Sequence, residues 1–165
     1  SHVGVYLRYL FETRLGMLAS AAAPSVVTAY RQAPELRDAL FVVVSQSGRS
    51  SDLVNATQMA RKLGALTLAI VDDENSPAAA ASELVLPIGA GAERSVAATK
   101  TVVLSMIAGA DLVAALAHDD GLESGLQRLP LRRSRRRHPQ RRSAALSLGR
   151  SSTHSSHRRI RPSRR

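Results

Sequence analysis

The sequence contains no cysteine, which excludes a disulfide frame, a thiolate nucleophile and any zinc site built on sulfur. It also has no long apolar run: the longest, near Val102 to Ala110, falls well short of the ~18–20 residues needed to span a bilayer. No basic-then-apolar leader with a cleavage site opens the chain, so a cytoplasmic location is expected. The first residue is serine rather than methionine, which suggests that the N-terminus is a cut edge. Two phosphate- and acyl-chemistry loops are missing as well: no GxxxxGK[ST] and no GxSxG occurs, which argues against a Walker-type nucleotide site and a nucleophile elbow. Acidic residues stop altogether before residue 130.

That last absence reorganises the charge. The 165 residues carry a formal net charge of +10, which taken whole would suggest a nucleic-acid partner. Residues 1–130, however, hold 10 Lys+Arg and all 13 Asp+Glu, a net −3, whereas 131–165 hold 13 Arg and no acid. The globular part is mildly acidic and the basic charge belongs to the tail. With 44% hydrophobic residues, residues 1–130 are enough for one domain with a real core.

Along that domain, Val3, Leu7, Leu10, Phe11 and Leu15 recur at spacings of three and four before Gly16, which predicts an amphipathic helix. "MLASAA" reads as a short strand, and Pro24 with Ser25 as the start of a helical turn to about Arg31. "ALFVVVS" and "ALTLAIV" are continuous apolar runs of strand length, as expected of strands buried on both faces. Between them, Leu53, Ala56, Thr57, Ala60 and Leu63 mark a helix closed by Gly64. After the acidic turn "DDENSP" come a short alanine helix behind Pro77 and a third strand, "SELVLPIG", whose proline places it near the sheet edge. Val96, Val103, Ile107, Ala110, Leu112 and Leu116 mark a long helix from Ser95 to about Ala117, and Leu122, Leu126 and Leu129 a last short one. Apolar strands alternating with helices imply an α/β domain with a doubly wound parallel sheet. Ligands of such sheets sit where strand ends feed helix N-termini.

The segment "VVVSQSGRSSDLV" lies at such a place. A helix N-terminus offers unpaired N–H groups and partial positive charge to an anion. Gly48 permits close backbone approach, and the hydroxyls of Ser45, Ser47 and Ser50 add donors. The segment therefore reads as a neutral phosphate cradle, set against the plainer reading that Ser50 or Ser51 merely caps the helix, with Asp52 complementing its dipole. A cap needs one hydroxyl and the loop offers four. A second glycine loop, "GAGAERSVAATKT", follows the third strand and brings Glu93, Ser95, Thr99 and Lys100 towards the same sheet edge; an ordinary cap at Ser95 fits there too.

"SQSGRSSDLVNA" followed by "ALTLAIVDDENSPAAAASELVLPIGAGAERSVAATKTV" resembles the sugar isomerase (SIS) domain. The likeness is to the first SIS domain in the isomerase half of glutamine:fructose-6-phosphate aminotransferases and of their deaminase-like relatives, and it covers roughly residues 2–130. It implies a flavodoxin-like SIS fold and a sugar-phosphate ligand, fructose 6-phosphate or glucosamine 6-phosphate. It implies no cofactor and no metal, and a homodimer for full-length members. On the matching positions, Ser45, Gln46, Ser47, Gly48 and Ser50 would hold the phosphate, and Val96 and Ala98 would lie beside the sugar carbons. Lys100 matches a family position without a catalytic role being assigned, and Glu93, from the same glycine loop, is a further candidate. Ala98 in place of serine and Arg49 in place of glutamate favour the deaminase-like branch.

The resemblance also implies what is absent. Family members open this domain with a strand ending in a G-[ST]-S turn, placed between the strands assigned to "MLASAA" and "ALFVVVS", and they carry a second SIS domain with a catalytic glutamate and histidine. His2 and His118 are poor substitutes for those groups. The chain is thus expected to bind without turning over alone, with "MLASAA" detached or poorly paired. The alternative is a non-enzymatic sugar-phosphate sensor, as in regulators that couple an SIS domain to a DNA-binding module. Residues 131–165 lack apolar periodicity and are expected to be disordered. They read either as a non-specific nucleic-acid arm or as out-of-frame sequence, because an arginine-only basic composition is what a GC-rich gene gives in a wrong frame.

Overall fold

The computed structural model describes residues 2–22, 35–91 and 99–129. The turn expected at Pro24–Arg31, the loop residues Glu93, Ser95, Val96 and Ala98, and the arginine tail lie outside the described residues. In chain order the elements are α1 (His2–Leu15), β1 (Leu40–Ser45), α2 (Ser51–Lys62), β2 (Leu66–Val71), α3 (Pro77–Ala81), β3 (Leu84–Pro87), α4 (Thr99–Ala117) and α5 (Asp120–Gln127). The strands form a parallel sheet in the order β1-β2-β3. Its register aligns the strand ends: Ser45 stands beside Val71, and Val71 beside Pro87. The three loops that follow the strands therefore emerge side by side at one end of the sheet.

Strand alternation divides the core in two. On one face Leu68, Ile70 and Leu86 pack with Val3, Leu7 and Phe11 of α1 and with Ala108, Leu112 and Val113 of α4. On the other, Val43, Ala69 and Val71 pack with Ala78 and Ala79 of α3, joined by Phe41, Leu53, Val54 and Val85. Helices on both faces of a parallel sheet make this the doubly wound α/β arrangement the sequence implied. β3, with Pro87, pairs with β2 alone among the described residues, as its proline suggested.

Four details differ from the sequence reading. "MLASAA" forms no strand, and Leu18 in it is 99% exposed, so the segment contributes no sheet pairing, in keeping with the detachment expected of it. β1 is not buried throughout: Val43 is buried but Leu40, Phe41, Val42 and Val44 are only half-buried. The reason is topological, since β1 has a strand neighbour on one side only among the described residues, whereas β2 lies between two strands and is buried from Thr67 to Val71.

The inner face of α4 is only partly the one its apolar residues marked: Ala110 and Leu112 are buried as expected, but the rest of the face is not. Val102 and Val103 are exposed and Ile107 is half-buried, while Thr101, Ser105, Ala108 and Gly109 are inside. α1 crosses α4 so closely that a Cβ on Gly109 would stand 2.1 Å from Leu7 Cδ2. Small residues mark the contact because they admit the other helix, and the Ser105 hydroxyl is satisfied within its own helix by Thr101 O at 2.7 Å. Lastly, the apolar run near Val102 belongs to a 19-residue helix with mean hydropathy 1.7, long and apolar enough by length and composition to cross a membrane. Here that helix packs against α1, α5 and β2.

The α1–α4 contact gives a paired test. Gly109→Val should destabilise the fold by about 1–3 kcal/mol through overpacking. Gly125→Ala, on α5 with nothing within 4 Å of the new Cβ, should stabilise by about 0.5–1 kcal/mol through helix propensity. Chemical denaturation of both variants would read the opposite signs.

Candidate functional site

β1 ends at Ser45 and α2 begins at Ser51, so the loop Gln46–Ser50 is the turn from a strand end into a helix start. Its shape is fixed by Gly48. That residue has φ +62, a left-handed conformation costly for residues with a Cβ. Space forbids a side chain as well, because a Cβ there would lie 2.2 Å from Ser76 Oγ and 2.5 Å from Ser76 Cβ. Glycine lets the loop backbone sit on the first turn of α3, where the Ala78 N–H donates to Gly48 O at 2.9 Å. Ser76 is itself buried and caps α3, its Oγ accepting from the Ala79 N–H at 3.3 Å.

The serines divide between shaping the loop and facing outward. Ser45 Oγ accepts from the Gly48 N–H at 3.1 Å, and Ser47 Oγ accepts from the Arg49 N–H at 3.4 Å. In each case the hydroxyl acts as acceptor and keeps its own proton to donate. Ser50 occupies the N-cap position of α2, yet its side chain makes no capping hydrogen bond. The plainer reading of this serine is therefore half right: the residue is at the cap, and its hydroxyl does not serve it. Ser47 and Ser50 are exposed, Ser45 and Gln46 half-buried, and Gly48 buried. The first α2 hydrogen bond from this end is Val54 N–H to Ser50 O at 3.0 Å. The amides ahead of it have no carbonyl within the helix to meet.

The second loop, Asp72–Ser76, holds the first in place, and composition had marked it only as an acidic turn. The Asp72 N–H donates to Gln46 O at 3.2 Å. Asp73 divides its carboxylate between the Asn75 N–H at 3.0 Å and Arg49 Nη2 at 3.0 Å. Across 46–50, 72–76 and 88–91, Arg49 is the one cationic side chain against three carboxylates, Asp72, Asp73 and Glu74. A signal for these roles existed in the sequence, two aspartates directly after a buried strand, but their partners are 18 to 26 residues away in the chain. From the third loop, Ala90 and Gly91 donate their N–H groups to Asp72 Oδ1.

Of the residues singled out from sequence, Ser45, Gln46, Ser47, Gly48 and Ser50 thus form one continuous turn. Lys100 lies exposed in the first turn of α4, and Glu93, Val96 and Ala98 are outside the described residues. His118 follows the C-terminal end of α4 and His2 begins α1, so neither stands in the three loops. Among the described residues no group of three or more His, Cys, Asp or Glu could hold a metal ion. Chemically the turn offers an oxyanion the hydroxyl protons of Ser45, Ser47 and Ser50 beside the unpaired amides of a helix start.

Comparison with known proteins agrees with the fold. The SIS domain family profile matches residues 1–115. A glutamine–fructose-6-phosphate aminotransferase (isomerizing) from Campylobacter jejuni is 34% identical over 106 residues, which is 64% of this chain and 18% of that protein. The corresponding Escherichia coli K12 protein is 33% identical over 138 residues, 78% of this chain and 22% of its own length. The chain thus spans about a fifth of the length of these relatives. Among solved structures, a protein from Silicibacter pomeroyi DSS-3 described as a phosphosugar isomerase superposes with TM-score 0.76 at 46% identity, covering 78% of this chain and 39% of that one. The C-terminal domain of a glucosamine-fructose-6-phosphate aminotransferase from Francisella tularensis superposes with TM-score 0.64 over 88% of this chain and 37% of that one. At 23% identity it speaks for the fold alone.

The loop geometry yields a contrast between neighbours. Gly48→Ala should cost about 1–3 kcal/mol, from left-handed strain added to the collision with Ser76. Arg49→Gln, which removes only an exposed ion pair, should change stability by less than about 1 kcal/mol. Urea titrations of both variants would check the difference.

Proposed function

This chain belongs to the SIS domain family, and from that premise we propose that its β1–α2 loop binds the phosphate of a hexose 6-phosphate, fructose 6-phosphate or glucosamine 6-phosphate. The observation that carries this reading is the Ser50 hydroxyl, placed at the helix start and left out of the cap, beside Ser45 and Ser47 hydroxyls that accept from the loop and retain donors. In this role the Ser45, Ser47 and Ser50 hydroxyls donate to phosphate oxygens, and the first amides of α2 add donors and the positive end of the helix dipole. Gln46 is half-buried and its carbonyl is held by the Asp72 N–H, so the loop keeps its shape with or without ligand.

Phosphate-ester chemistry is not required of these groups. Hydroxyls and amides that do not titrate near neutrality bind and orient; isomerisation or amino transfer at the sugar carbons needs a base and an acid. The three described loops contain no histidine and no lysine, and of their carboxylates Asp72 is engaged by the Ala90 and Gly91 N–H groups and Asp73 by Asn75 and Arg49. We read the chain as the sugar-phosphate-binding part of an amino-sugar isomerase, aminotransferase or deaminase in the cytoplasm, with the activities named for its relatives as the guide to ligand class.

Isothermal titration calorimetry of the full chain tests this. Fructose 6-phosphate or glucosamine 6-phosphate should bind while unphosphorylated fructose and glucosamine do not. Ser47→Ala and Ser50→Ala should each weaken binding by roughly 1.5–3 kcal/mol, the scale of a hydrogen bond to a charged group. Equal affinity for phosphorylated and plain sugars would sink the phosphate reading. Incubation with either hexose phosphate should leave it unconverted, and clear turnover by the purified chain would refute the binding-only assignment.

A further inference from the structure

Asp72 touches the loops on both sides of its own. Its main chain donates to Gln46 O in the phosphate loop at 3.2 Å. Its Oδ1 accepts the consecutive N–H groups of Ala90 and Gly91 in the loop after β3. The two amides converge on that one oxygen from a turn flanked by Gly89 and Gly91, both left-handed at φ +67 and +64. Successive N–H groups in such a conformation form a concavity that binds anions. Here the anion is part of the protein. The carboxylate fills the concavity of Gly89–Gly91 from the next strand over, and Ala90 is buried beneath it at 8% exposure.

We infer that Asp72 is a positioning residue for the ligand site, an internal anion that holds the third loop at a fixed distance from the phosphate loop and so shapes the place where the organic part of a phosphorylated ligand lies. The inference rests on the phosphate reading above. Its geometric basis is independent of it: β1, β2 and β3 end in register, adjacent strands are about 4.8 Å apart, and the third loop therefore stands about 10 Å from the first. A six-carbon phosphate anchored at Ser45–Ser50 and extending over β2 reaches that loop. The strand between them contributes the tie.

The role separates from general stability by its ligand dependence. Three proteins are compared, the wild-type full chain, Asp72→Asn and Asp72→Ala. Each is titrated with glucosamine 6-phosphate and with inorganic phosphate, and amide hydrogen exchange is followed at Ala90 and Gly91. Asp72→Ala should speed exchange at those two amides and weaken glucosamine 6-phosphate about tenfold, the loss of one or two hydrogen bonds acting through the loop. Inorganic phosphate, which meets only the first loop, should stay within about twofold of wild type. Asp72→Asn keeps an acceptor at Oδ1 and should recover most of both the protection and the sugar-phosphate affinity. Unchanged exchange in Asp72→Ala would overturn the clamp itself. An equal loss for both ligands, or no loss for glucosamine 6-phosphate, would overturn its role in shaping the site. If the wild type binds neither ligand while Asp72→Ala still speeds exchange, the phosphate reading fails and the positioning role fails with it, whereas the clamp stands.

Discussion

The contact on which the site depends is that between the backbone of Gly48 and the first turn of α3. It brings a loop from one strand onto the helix that follows the next, and it requires that one atom be missing: any Cβ at position 48 would collide with Ser76. Once the contact is made, the Gly48 carbonyl is satisfied by Ala78, the turn into α2 is fixed, and the serine hydroxyls acquire definite positions. Asp72 and Asp73 extend the same logic, one tying loops by main chain and carboxylate, the other holding Arg49. The result is a turn whose hydroxyls and amides are held in place by the protein's own contacts.

The sheet makes this possible by its register. Parallel strands ending level with one another deliver their following loops to a common edge, and helices on both faces keep the strands from sliding, since a shift of one residue would exchange the two cores. Leu68, Ile70 and Leu86 would turn away from α1 and α4, and Ala69 and Val71 away from α3.

Much of this was legible in the sequence, and the reasons are specific. "LTLAIV" could be read as a buried strand because it lies between two neighbours and every residue from Thr67 on is enclosed. "LFVVVS" looked the same but is less buried, because composition reports apolarity and not the number of neighbours a strand has. "MLASAA" has the composition of a strand without a place in the described sheet. α4 was legible as a helix, though not in its orientation: Gly109 and Ser105 face inward because Leu7 of α1 needs the room, which depends on a helix about 100 residues earlier. The serines and Gly48 were visible as a motif, since strand, turn and helix are contiguous there. Asp72 was not, because its partners come from two other loops and no local pattern announces a carboxylate filling a glycine turn.

The two cores are built from residues of different size, and this sets how each tolerates change. On the α1–α4 side, Leu, Ile and Phe side chains fill the space, so truncation leaves cavities there. On the α2–α3 side the helices contribute Ala56, Ala60, Ala78 and Ala79, which have little left to remove. Any larger residue would lift the helix from the sheet. Because α2 and α3 carry the serine turn and its support, disruptive substitutions in those helices should be skewed towards gains of volume. On the far face the two kinds should mix, with loss of volume felt at Leu68, Ile70 and Phe11 and gain of volume at Gly109.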